Sequence, residues 1–219
     1  MITVHHLNNS RSQRVLWLLE ELGVPYEVRR YERSKSLAAP PELKRVHPLG
    51  KSPVITEGDL TLAETGAIVS YIAETHGEGR FQPEPDSADW WRMQHFLHHA
   101  EGSAMPPLLM KLVFARIPSE APIVVRPVAK ALMKGVDAHF LAPRLADLLD
   151  YWDASLAKTG WFAGPEPTLA DVMMSFPLEA AGTRVGFGQR RHLPAFVERI
   201  HARPAFKAAL ERGGPYAYA

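Results

Sequence analysis

The chain has no cysteine, and that absence excludes several kinds of chemistry at once. A disulfide framework, a thiolate zinc site, an iron–sulfur cluster, a CxxC redox pair and a cysteine nucleophile are all ruled out. Any thiol chemistry must use a thiol borrowed from another molecule. An excess of one charge is missing as well: 25 Lys and Arg stand against 24 Asp and Glu, a formal net charge of +1. Such a balance gives no strong field for nucleic acid or an anionic membrane. Long hydrophobic runs are absent too. The most apolar stretch, Pro106 to Ile117, is broken by Lys111 and Arg116, so no membrane span is expected. The opening Met1-Ile2-Thr3-Val4 has no basic n-region and no small-residue cleavage site, and the expected location is the cytoplasm.

What is present is 219 residues, 46% hydrophobic and 22% charged, enough to bury a sizeable core without covalent staples. The first eighty residues alternate between strand and helix signals. Ile2 to Leu7 reads as a strand and Asn8-Asn9-Ser10 as a loop and helix start. Val15, Leu18, Leu19 and Leu22 then fall at i, i+3, i+4 and i+7, one face of a helix that Gly23 closes. Tyr26 to Tyr31 is a second strand, Pro40-Pro41 opens a short helix, and Pro53–Thr56 and Leu60–Leu62 form two strands around Glu57-Gly58-Asp59. A helix over Glu64 to His76 completes a βαβ, α, ββα order. Gly77 to Asp86 is a Gly- and Pro-containing connection. Beyond it the pattern is helical throughout. One helix starts near Ser87 and bends or ends at Pro106-Pro107, and another covers Val124 to Leu156, with Gly135 and Pro143 as interruptions. Three more cover Pro167-Thr168 to Ala181, Leu193 to His201 and Pro204 to Arg212. The boundaries expected are 1–78 for an α/β unit, 79–86 for the linker and 87–219 for an all-α unit.

Three segments of the first unit carry candidate chemistry. Ser10 stands between a strand and a helix, where its hydroxyl and the helix N-terminus together suit an anion; a plain cap uses the same residue. In His47-Pro48-Leu49-Gly50-Lys51-Ser52-Pro53-Val54, a proline opening a strand is a candidate for a cis bond and for strand-like pairing with an extended peptide. Glu64-Thr65 lies where a strand gives way to a helix, a place that suits an amino-acid head group, and equally a cap.

With these motifs in this order, the sequence resembles the cytosolic glutathione S-transferases, and most of all their bacterial and fungal serine-type members. The resemblance is carried by Ser10-x-x-x-Arg14-Val15-Leu16-Trp17, His47-Pro48-x-Gly50-Lys51-x-Pro53, Glu64-Thr65 and Thr168-Leu169-Ala170-Asp171, and it covers nearly the whole chain. His47 stands where Asn is more usual. The resemblance implies a thioredoxin-like first domain with a mixed four-stranded sheet, an all-α second domain, and a homodimer. It implies that glutathione is a co-substrate, with no separate cofactor, that is directed at a small hydrophobic electrophile. Conjugation is the expected reaction and hydroperoxide reduction stays open; a binding or regulatory module without turnover is the alternative. Ser10 would hydrogen-bond the sulfur, with Ser12 and Asn9 as rivals. Val54, in the loop of Ser52 and Pro53, would pair with the cysteinyl unit. Glu64 and Thr65 would hold the γ-glutamyl end, and Lys51 with His47 the glycyl carboxylate. Met105 and Leu109, with Leu108 and Leu112, are candidates for the electrophile's site, although their spacing also fits a core stripe.

Other features carry blander readings. Thr168 and Asp171 form a capping box and are structural. His95 and His99 have zinc-ligand spacing, but Phe96 stands where a zinc-protease motif needs Glu, and no metal is expected. His5 and His6 face opposite ways on a strand. Arg29-Arg30 with Arg33, and Arg190-Arg191-His192, read as solvated faces. The tail Pro215 to Ala219 either folds over the pocket mouth or frays.

Overall fold

The computed structural model describes residues 1–34 and 39–218. Strand β1 (Ile2–Leu7) leads through a turn into helix α1 (Ser12–Leu22), which Gly23 ends in a left-handed conformation at φ 67°. Strand β2 (Tyr26–Tyr31), the short helix α2 (Leu43–Val46), strands β3 (Val54–Glu57) and β4 (Leu60–Ala63), and helix α3 (Thr65–His76) follow. The sheet order is β2-β1-β3-β4, with β1 parallel to β2 and the other two pairings antiparallel. A mixed sheet of this kind puts the central strand β1 under cover on both faces. Ile2 and Val4 point into the main core, while Leu7 joins Tyr31 and Leu43 in a smaller cluster beneath α2.

The remaining described elements are helical: α4 (Ala88–His99), α5 (Met105–Glu120), a 3-10 turn (Ile123–Val125), α6 (Arg126–Val136), α7 (Ala142–Leu156), α8 (Leu169–Arg184), α9 (His192–Ala202) and α10 (Pro204–Gly213). Two details differ from the sequence reading. Pro106-Pro107 do not end a helix. A π-helical stretch, Ala100–Ala104, joins α4 to α5, and the prolines fall in the first turn of α5, where a missing N–H is tolerated. A second π stretch, Asp137–Leu141, joins α6 to α7 between Gly135 and Pro143.

The other difference concerns α1. Its apolar spacing marks one face, yet every residue from Ser12 to Leu19 is buried. The outer face is covered by α10, with the Trp17 and Phe206 rings 5.7 Å apart, and by α8. One continuous core therefore runs from the sheet through α1 into the helical part. Arg14, 1% exposed, crosses this seam. Its guanidinium donates to the Met173 carbonyl of α8 (2.7 Å) and to the Thr65 hydroxyl of α3 (3.3 Å), and pairs with Glu101 in the first π stretch.

Candidate functional site

The turn between β1 and α1 delivers Ser10 to the edge of a cleft of about 420 Å³. One wall comes from the sheet side: Asn9, Ser10, Arg11, Arg33 and Ser52. The opposite wall comes from α5 (Met105, Leu109, Leu112, Arg116), α8 (Phe176, Arg184) and Tyr218 of the tail. Met105, Leu109, Leu112 and Arg116 follow helical spacing, so one stripe of α5 faces Ser10. Leu108 points away and is wholly buried in the core. Sequence spacing thus brings Ser10, Ser52, Met105 and Leu109 to one place, and Leu112 with them.

The three candidates for contact with an incoming sulfur differ in their partners. Ser12 is fully buried; its hydroxyl lies 2.9 Å from His6 Nδ1 and 2.6 Å from Ser10 Oγ. Its hydroxyl is thus shared between the His6 ring and Ser10 inside the fold. Asn9 spends its side-chain oxygen on the Ala217 N–H of the tail (2.7 Å). Ser10 Oγ accepts the Ser12 N–H at 3.3 Å, and its own proton turns either to Ser12 Oγ or into the cleft. It is therefore both a partial cap and a cleft-facing donor.

The second segment needs a correction. The Ser52–Pro53 bond is cis, but Val54 is wholly buried and in register with His5 on one side and Ala63 on the other. Its backbone lies inside the ladder and is not available to an extended peptide. Ser52 is the residue outside both ladders. Its hydroxyl donates to the His5 carbonyl (2.8 Å) and accepts the Leu7 N–H (3.2 Å), which fixes the loop beside the cleft. Lys51 is exposed and His47 half-buried, and neither lines the cleft.

Glu64 and Thr65 do not border the Ser10 cleft either. Glu64 is exposed at φ 71°, a conformation unusual for a residue with a side chain, and borders a separate groove of about 380 Å³ with Gln94, His98 and Glu101. Thr65 is buried and its hydroxyl is taken by Arg14. Groove and cleft meet at the Arg11–Glu101 ion pair, 3.0 Å long. A larger hollow of about 660 Å³ lies between α5 and α6, and none of the candidate site residues borders it. Among the described residues no group of three or more His, Asp or Glu is placed to hold a metal. His95 instead meets the Tyr151 hydroxyl (2.9 Å) and His99 accepts the Trp152 N–H (2.9 Å).

Two family models match: one for the glutathione S-transferase N-terminal domain covers residues 1–74, and one for the C-terminal domain covers 118–204. The chain belongs to the glutathione S-transferase family. It is 34% identical to glutathione S-transferase 3 of Schizosaccharomyces pombe, over 97% of this chain and 88% of that one. It is 30% identical to glutathione S-transferase 1 of Saccharomyces cerevisiae, over 97% and 95%. A crystal structure of a glutathione S-transferase from Actinobacillus pleuropneumoniae superposes with a TM-score of 0.81 at 29% identity, covering 100% of this chain and 95% of the other.

Sequence reasoning missed several residues of this transferase's cleft. Arg11, Arg116, Phe176 and Arg184 carry no motif, and the short basic run that contains Arg33 has the pattern of a solvated face. Helical spacing from Leu109 and Leu112 points to Arg116. No local signal marks Arg184, which reaches the cleft only through the packing of α8 against α5. Among the described residues no helix is long and apolar enough to cross a membrane.

Proposed function

We propose that this transferase binds glutathione along the cleft and groove, holds its sulfur as a thiolate beside Ser10, and directs it at an electrophile lying on the α5 stripe. The observation carrying the reading is the placement of the Ser10 hydroxyl opposite Met105, Leu109 and Leu112 across one cleft. A free thiol has a pKa of about 8.5 and is mostly protonated at neutral pH. A hydroxyl donor, the nearby N-terminus of α1 and surrounding guanidinium groups each favour the anion. Ser10 keeps its oxygen oriented by accepting the Ser12 N–H, while its proton is turned to the sulfur. The thiolate then attacks the electrophilic carbon; the carbon–sulfur bond forms, and the leaving group departs with its bonding pair. The thiol proton passes to solvent. Because the chain has no cysteine, a mixed disulfide with the protein is outside its chemistry.

The tripeptide's remaining contacts follow the same geometry. Ser52, outside the ladders, offers its backbone to the cysteinyl unit, and Glu64 receives the γ-glutamyl ammonium in the adjoining groove. Lys51 stays available to the glycyl carboxylate. A homodimer belongs to the proposal as well. Its support is the face of α4 where Trp91, 61% exposed, stands at helical spacing from Gln94 and His98 beside Glu64. Light scattering tests it, and a monomer would remove this part.

The central test is the ultraviolet thiolate band of bound glutathione across pH, in wild type and Ser10→Ala. The expected result is a midpoint well below the free value in wild type. In Ser10→Ala it moves back up by about one to two units, with turnover of an activated aryl halide down about 10- to 100-fold. A wild-type midpoint equal to that of free glutathione would remove the mechanism.

A further inference from the structure

The cleft wall facing Ser10 is not simply apolar. Four guanidinium groups border the cleft, from Arg11, Arg33, Arg116 and Arg184, and among the described residues no Asp or Glu does. Arg11 is matched by Glu101 at 3.0 Å, and Arg33 gives its Nε–H to the Asn8 carbonyl. Among the described residues, neither Arg116 nor Arg184 has a carboxylate within ion-pair distance. They also occupy the helical wall, away from Lys51 and Glu64, where the ends of the tripeptide are assigned.

Their settings complement one another. Arg184 is held in place, donating to the Leu108 carbonyl (3.1 Å) and to the Tyr218 hydroxyl (2.9 Å), both neutral acceptors. Arg116 is exposed and stands one turn beyond Leu112, at the end of the stripe that begins with Met105. An apolar body lying on that stripe therefore has a cationic end awaiting it. A guanidinium fork held at a partly desolvated wall is suited to planar anions.

We propose that the electrophile accepted by this protein carries an anionic group, a carboxylate or sulfonate on an apolar body, and that Arg116 and Arg184 select it. This rests on the transferase reading above. For an aryl chloride the step is ordinary substitution. The glutathione thiolate bonds to the chlorine-bearing carbon, chloride leaves with the carbon–chlorine electron pair, and the proton of the former thiol is in the buffer. The arginines take no part in that exchange; they hold the far end of the ring.

The matched pair of a chloronitrobenzoate and its chloronitrobenzamide isolates the charge. For each, kcat/KM is divided by the uncatalysed rate with glutathione, which removes the difference in ring activation. Wild type is expected to favour the benzoate at least tenfold, and Arg116→Gln and Arg184→Gln are each expected to shrink that preference about tenfold, the usual worth of a charged hydrogen bond. Arg184→Lys, which keeps the charge, is expected to retain most of it. Because Arg116 is exposed, its variant keeps the test alive should Arg184→Gln fold poorly. An equal or greater preference for the benzamide in wild type overturns the proposal. So does a preference that survives both glutamine substitutions, or a loss that appears only as a raised KM for glutathione with either partner. Calorimetry with glutathione alone separates the two levels. Binding without charge preference defeats this inference only, whereas no binding defeats the transferase reading and this one with it.

Discussion

The imidazole of His6 is buried and bonded to the Ser12 hydroxyl at 2.9 Å, and burial makes its neutral form the one the fold favours. Burial pushes its pKa from 6.5 down to about 4; the nearby Arg30 charge adds to that shift and the Gly213 bond opposes it. A depressed folded pKa means that the unfolded chain binds the proton first. The stabilisation is fully present above pH 6.5 and is lost as pH falls from there through about 4, a total of about 3 kcal/mol. His99, lowered to about 4 by burial and by His95, acts in the same sense. Asp171 acts in the opposite one, since burial raises its pKa to about 6. Wild type alone therefore mixes the three. The expected outcome is that wild type and His6→Gln differ most in unfolding free energy above pH 6.5, and that their curves converge toward pH 4. Parallel curves across that window would contradict the assignment. Strand alternation placed His5 and His6 on opposite faces. It did not reveal that His6 supports the loop of Ser10, because that partner is fixed by the turn.

Helix α8 shows what local sequence determines and what it leaves open. Thr168 and Asp171 form the expected capping box: the Thr168 hydroxyl accepts the Ala170 N–H, and Asp171 accepts the Thr168 N–H at 2.7 Å. The other Asp171 oxygen accepts the Phe162 N–H at 2.8 Å, tying the preceding loop to the helix start. Asp171→Ala strands both buried N–H donors and takes the Thr168 hydroxyl's acceptor as well, and the expected loss is about 3 kcal/mol, read as a lowered denaturant midpoint at unchanged slope. Thr168→Ala, which removes the longer bond from the Ala170 N–H and the hydroxyl's bond to Asp171 (3.0 Å) but strands no second backbone donor, is expected to cost about 1 kcal/mol. A loss for Asp171→Ala no greater than that of Thr168→Ala would leave the loop bond without weight. Strands, caps and most helix limits were legible because propensity, Gly and Pro act within a few residues. The π stretches were not, since Ala100–Ala104 interrupts no apolar period, and Pro106-Pro107 carry the same signal at a helix start as at a stop. The full burial of α1 was also hidden. Its outer face is decided by α8 and α10, which lie far along the chain.

Across the whole molecule the C-terminal tail joins the parts that form the cleft, a choice that composition left open. Among residues 215–218, the Tyr216 hydroxyl donates to the buried carboxylate of Glu179 in α8, and the Ala217 N–H donates to Asn9 beside Ser10. Tyr218 borders the cleft, its ring 5.3 Å from Phe176 and its hydroxyl accepting from Arg184. Ala219 lies outside the described residues. The tail thus bears on both walls: it is bonded to the loop of Ser10 and to the helix that carries Arg184. Ending the chain at Gly214 removes these contacts together. Among the described residues the Glu179 carboxylate then keeps only His201, at 2.9 Å, as a hydrogen-bond partner in a buried site, and stability is expected to fall by about 1 to 3 kcal/mol. KM for the electrophile is expected to rise several-fold. The thiolate midpoint of bound glutathione should move little, because Ser10 keeps its bond from the Ser12 N–H. Tyr218→Phe in the full chain separates the two effects, since it deletes the Arg184 contact and leaves Tyr216 and Ala217 in place. A truncated protein with unchanged stability and unchanged KM would mean that the tail only rests on the cleft. A rise in KM shared by Tyr218→Phe would trace the effect to the held guanidinium of Arg184, the same group on which discrimination by charge depends.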